Sequence, residues 1–100
     1  MKLGVKHRAD LLKRLQEKGV PETAVDFIKR RGRICICHGT SNMKFCYLRK
    51  KETHLDPITH QWKQVEWFKL KFNESAESRV ENWNQVMEQF EDWVNLIGNQ

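Results

Sequence analysis

The chain lacks any run of eighteen apolar residues, and its basic start, "MKLGVKHRAD", has no apolar stretch behind it. Neither a membrane-spanning helix nor a secretory signal is expected, so no membrane partner is predicted. There is no internal repeat and no low-complexity segment, which excludes repeat arrays and unstructured linkers. Cysteine is scarce and odd in number, at three. One thiol is left over in any pairing scheme, and a chain of 100 residues can build a core without staples. The sequence therefore predicts reduced thiols and a cytoplasmic setting. A glycine-rich phosphate loop, a nucleophile elbow and a carboxylate dyad are missing too, so an enzyme is not predicted and no cofactor is expected.

What is present points to one compact domain spanning residues 1–100. Hydrophobic residues make up 39% of the chain, and ten aromatics, four of them tryptophan, supply core-forming area. The net charge of +5 conceals a sharper division. Residues 1–51 hold 14 lysines and arginines against 4 carboxylates, whereas residues 52–100 hold 4 against 9. Such polarity concerns association more than fold, and suits a polyanion or an acidic partner.

Periodicity places the elements. Leu11, Leu12 and Leu15 recur at helical spacing, and Gly19 ends the segment. Pro21 opens a second predicted helix, "PETAVDFIKRR", with Ala24, Val25 and Ile28 as its stripe and Gly32 as its stop. The period then becomes two. Ile34 and Ile36 alternate with Cys35 and Cys37, and Met43, Phe45 and Tyr47 alternate with Lys44, Cys46 and Leu48, giving two strands about the turn "HGTSN". Opposing His38 to Met43 places Ile36 against Phe45, Ile34 against Tyr47 and Cys35 against Cys46, with all three thiols on one face. The polar stretch from Lys50 to Gln61 reads as a long loop. "WKQVEWFKLKF" is a third strand, whose change of parity at Trp67 predicts a bulge or burial on both faces. Finally, Val80, Trp83, Met87, Phe90, Val94 and Ile97 mark an amphipathic helix, with Ser75 or Ser78 as its cap.

The predicted fold is α+β: two short N-terminal helices, a three-stranded antiparallel meander, and a long C-terminal amphipathic helix packed on the sheet. That helix stripe also suits a homodimer interface.

Several motifs invite chemistry. Zinc usually takes turn-held C-x-x-C pairs, whereas Cys35 and Cys37 are spaced C-x-C along a strand and His38 has the opposite parity, so no metal site is predicted. His54, Asp56 and His60 lie in a loop without rigid i, i+4 spacing. Gly19, Val20, Val25 and Ile28 partly match a helix-turn-helix, with the hairpin as a wing. The basic clusters carry more weight. Lys29, Arg30, Arg31 and Arg33 approach Arg49, Lys50 and Lys51 across the predicted hairpin, with Lys44 in support. Concentrated cations repel one another unless an anion meets them, and phosphate backbones are the commonest such partner. The expected function is non-catalytic nucleic-acid binding, DNA or RNA, through these eight residues. The competing expectation is a protein-interaction module or inhibitor of the kind mobile elements encode, docking on an acidic host protein.

Overall fold

The structure is a computed structural model that describes residues 4–39 and 43–98. Thr40, Ser41 and Asn42, at the tip of the predicted "HGTSN" turn, lie outside the described residues.

Helix α1 (Gly4–Glu17) buries Leu11 and Leu15 completely. It ends as its glycine predicts. Gly19 adopts φ 77°, its N–H donates to the Gln16 carbonyl at 3.0 Å, and the Val20 N–H donates to the Leu15 carbonyl at 2.9 Å, the paired bonds of a Schellman closure. The predicted second helix does not form. After Pro21 a single 3-10 turn, Glu22–Ala24, leads into strand β1 (Val25–Arg30). Val25 and Phe27 point inward while Asp26 and Ile28 face out, and Ile28 is 43% exposed. The reason lies just downstream. Arg31 and Gly32 have φ of 54° and 78°, the two left-handed residues of a tight hairpin turn, so β1 pairs with β2 (Arg33–His38) from Arg30↔Arg33 to Val25↔His38. The helix-turn-helix reading falls with that helix.

The hairpin register holds. Ile34↔Tyr47, Cys35↔Cys46 and Ile36↔Phe45 are among the pairs joining β2 to β3 (Lys44–Leu55). The predicted loop from Lys50 to Gln61 is instead half strand: β3 runs to Leu55, turns within residues 56–61, and returns as β4 (Trp62–Phe72) in unbroken register. No bulge occurs at Trp67. Trp67 and Phe68 are both buried on opposite faces, 8% and 2% exposed, which accounts for the mixed parity. A short fifth strand, β5 (Ser78–Val80), pairs with β4 and takes the residues expected to start the last helix. The sheet therefore has five antiparallel strands in chain order, not three.

Helix α2 (Trp83–Gly98) begins one turn later than predicted. Asn82 is its cap, its side-chain oxygen accepting from the Gln85 N–H at 3.0 Å. Val86, Phe90, Trp93, Val94 and Ile97 are buried with Leu11, Leu15, Ile36, Phe45, Tyr47, Phe68 and Leu70 in one core. The stripe considered for a homodimer thus packs on the molecule's own sheet. Both helices lie on this face, linked by Glu91, which meets Arg14 at 2.7 Å and Lys18 at 3.1 Å. No helix of the described residues is long and apolar enough to cross a membrane.

Candidate functional site

Strand alternation gives the sheet two faces with different duties. One is covered by α1 and α2. Among the described residues the opposite face carries no helix, and the strand registers assign to it Arg30, Arg33, Lys44, Lys50, Lys63, Lys69, Lys71 and Arg79, with Asp26 and Glu52 as strand carboxylates. One transverse row is notable. Arg30 pairs with Arg33, the next step reaches Leu48, Leu48 pairs with Lys69, and Lys69 pairs with Arg79. Four cations and one leucine cross all five strands.

Below that row the surface sinks into a basin of about 550 Å³. Arg30, Arg31, Arg33, Lys44 and Lys71 line it, Cys35, Cys46 and Leu48 form its floor, and Asn73 and Glu74 contribute to the wall. Arg30, Arg31, Lys44 and Lys71 are exposed, whereas Arg33 is half-buried and meets Glu77 at 3.2 Å. Arg31 sits there at a conformational cost. A left-handed backbone costs an ordinary side chain about 1 kcal/mol, a penalty that asparagine or glycine avoids, so the turn sacrifices stability while placing a guanidinium at the basin.

The floor holds a correction. Cys35 and Cys46 share the open face, as strand parity predicts, but they are joined as a cross-strand disulfide with Cα atoms 4.1 Å apart, and Cys37 is the free thiol. Register alone brings directly opposed cysteines within bridging reach whether or not the core needs a staple, so the core-size argument for reduced thiols fails here. The cytoplasmic expectation loses the support it drew from them.

Comparison with known proteins returns no match among family models, curated proteins or solved structures.

The eight residues expected to bind do not form one patch. Arg30, Arg31, Arg33 and Lys44 converge on the basin, and Lys50 shares its face one step toward the β3–β4 turn. Lys29, Arg49 and Lys51 have the parity of the helix-covered face, and Arg49 is ion-paired with Glu66. Position along the strands brings all of these except Lys44 to one sheet end, Lys44 pairing with Cys37 at the other, and alternation then divides them between two faces. Lys69, Lys71 and Arg79 belong to the open face without having been predicted. The lysines are recoverable from β4 parity once β4 is registered on β3; Arg79 is hidden when its strand is read as a helix cap. Arg79 lies 4.1 Å over the Trp67 ring and bonds Glu81 at 2.8 Å, which keeps a guanidinium flat on the open face.

The histidine-bearing stretch serves local structure. Asp56 accepts from the Ile58 N–H at 2.9 Å and meets Lys63 at 3.2 Å, and these contacts, the backbone N–H foremost, hold its carboxyl below the usual carboxylate range. His54 bonds Glu52 at 2.9 Å and lowers that carboxyl likewise. Among the described residues no group of three histidine, cysteine or acidic side chains is placed to hold a metal.

Proposed function

We propose that the protein is a small non-catalytic nucleic-acid-binding protein whose open sheet face holds phosphates. The observation that carries this reading is the basin, where five cationic side chains from four strands and one turn converge beside a row of cations that continues to the far edge. Clustered like charge on a helix-free face is costly in isolation and favourable against a polyanion. Left-handed Arg31 supports the same reading, since the turn needs that backbone but not an arginine in it, and strained residues cluster at binding sites. A second reading, docking on an acidic protein, draws on Arg33 and Arg49 already being engaged by Glu77 and Glu66, pairings that a partner's carboxylates would imitate.

Fluorescence anisotropy with labelled single strands and duplexes, over a salt series, separates the two. Affinity is expected to fall steeply with salt, with a log–log slope of about −0.9 per phosphate neutralised on duplex DNA. Arg31→Asn is expected to reduce the slope by about one while stabilising the fold by about 1 kcal/mol. Absence of binding at low salt, or binding indifferent to salt, defeats the nucleic-acid reading. Partner recovery that survives nuclease treatment then favours the protein.

A further inference from the structure

The floor of the basin is a reactive bond in a charged setting. Cys35 and Cys46 are joined across β2 and β3, and they lie among Arg30, Arg31, Arg33, Lys44 and Lys71, with Glu74 as the carboxylate of the lining and Glu77 held by Arg33. The register of this hairpin is set from the other face. Ile36, Phe45 and Tyr47 are buried in the core and Ile34 packs against it, so the bridge can open without the strands losing their pairing.

The two half-cystines are not equivalent. Cys46 is 8% exposed, is paired directly with Lys71, and has Lys44 two positions along its own strand on the same face. Cys35 is half-buried, with Arg33 two positions along its strand. An entering thiolate therefore meets Cys35 first, and the charge it expels onto Cys46 arrives beside two lysines, which favour a sulfur anion. The chain's own thiol is badly placed to compete. Cys37 pairs with Lys44 and does not line the basin, so it is a diagonal neighbour of Cys46, at a Cα spacing of roughly 7–8 Å that a disulfide does not span without backbone movement.

We infer that the basin is an exchange site for low-molecular-weight thiols that carry carboxylates, which open the Cys35–Cys46 bridge through Cys35. Five cationic side chains select an anionic thiol over a neutral or cationic one, and the volume of about 550 Å³ lies within the roughly 300–1,000 Å³ of small-molecule sites. The incoming thiolate sulfur bonds Cys35 Sγ, the Cys35–Cys46 bond breaks, and its electron pair leaves on Cys46 Sγ, which takes up a proton. A second thiolate bonds the sulfur of the first and frees Cys35, which takes up another. The bridge is reduced to two thiols while two incoming thiols are oxidised to one small disulfide, and the protons they gave up end on Cys35 and Cys46. This chemistry holds whether or not nucleic acid binds the open face.

Reduction of the whole oxidised chain is followed with 3-mercaptopropionate, 2-mercaptoethanol and cysteamine, which are anionic, neutral and cationic, by alkylating the freed thiols and counting them by mass spectrometry. Each rate is divided by that of the same thiol with the urea-unfolded chain, which cancels intrinsic nucleophilicity. The folded protein should favour 3-mercaptopropionate over 2-mercaptoethanol by about tenfold, with cysteamine slowest. That preference should collapse at about 1 M salt, where screening acts within about 3 Å, and Lys44→Gln with Lys71→Gln should remove most of it. Peptide mapping of acid-quenched intermediates should find the adduct on Cys35, and Cys37→Ser should exchange at the wild-type rate. Equal relative rates for the three thiols, or a preference unchanged in the double lysine variant, overturns the inference. So does an adduct confined to Cys46, or slower exchange in Cys37→Ser, which would make the chain's own thiol the attacker. A folded chain that resists all three thiols while the unfolded chain is reduced, or a purified chain with three free thiols, overturns it as well.

Discussion

His7 lies flat on the Trp83 ring, 3.7 Å between centroids, with Tyr47 and Phe68 presenting their edges to it. Trp83 is fixed in turn by donating its indole N–H to Asp10 at 2.9 Å. Burial among these rings pushes the imidazole below its ordinary value of 6.5, despite the opposing pull of Glu66. A histidine depressed in the folded state binds fewer protons there than in the unfolded chain, so its contribution is fully present above about pH 6.5 and is lost as pH falls through the folded value. Stability is expected to decline as pH falls below about 6.5, and His7→Phe to flatten that decline. Urea midpoints across this range check it, and parallel profiles for the two proteins would exclude His7 as the cause. A second residue acts at longer reach. Asn73, left-handed at φ 53°, accepts from the Lys44 N–H at 2.9 Å and from the buried Trp93 indole at 3.1 Å, joining the basin wall to α2.

Elements with one covered face are legible in the sequence, and those without are not. Helix α2 and the Ile34–Ile36 and Phe45–Tyr47 alternations announce themselves because burial selects apolar residues at a fixed period. The stretch from Lys50 to Leu55 is strand without such a signal. Neither of its faces is covered by a helix, so nothing imposes alternation, and Lys50, Lys51, Glu52 and His54 read as loop. β1 misleads differently, since outward Ile28 completes an accidental helical spacing with Ala24 and Val25. The basin is half legible for the same reason: its arginines cluster in sequence, but Lys71 joins them only through pairing, as Lys69 and Arg79 join the row beside it. Independence of the outer β3–β4 ribbon has a direct check. The buried core cluster contains no residue between Tyr47 and Phe68, so replacing residues 51–66 with an Asn-Gly turn should leave near-native circular dichroism and cooperative unfolding. Loss of cooperativity would show that the ribbon supports the core.

At the scale of the molecule the cations of the open face come from both sequence halves. The nominally acidic second half gives the open face Lys63, Lys69, Lys71 and Arg79, while α2, on the other side of the sheet, carries Glu88, Glu91 and Asp92. Screening at physiological salt acts over about 8 Å, less than the roughly 10 Å between packed layers. Glu88→Gln with Asp92→Asn should therefore change nucleic-acid affinity less than about twofold, whereas Lys69→Ala with Lys71→Ala should weaken it steeply. Equal effects measured by anisotropy would mean that net charge, not the open face, governs binding.

The strand order, which follows the chain without a crossover, has a kinetic side. Each strand finds its neighbour in the hairpin that has just formed, the local arrangement that folds fastest. The helix layer closes differently. α1 precedes the whole sheet in the chain and its partner α2 follows it, so Asp10, Arg14 and Lys18 meet Trp83 and Glu91 across the full span of five strands. Sheet pairing is thus local in sequence, whereas covering Phe45, Tyr47, Phe68 and Leu70 requires contacts between segments far apart in the chain, the slower kind to form.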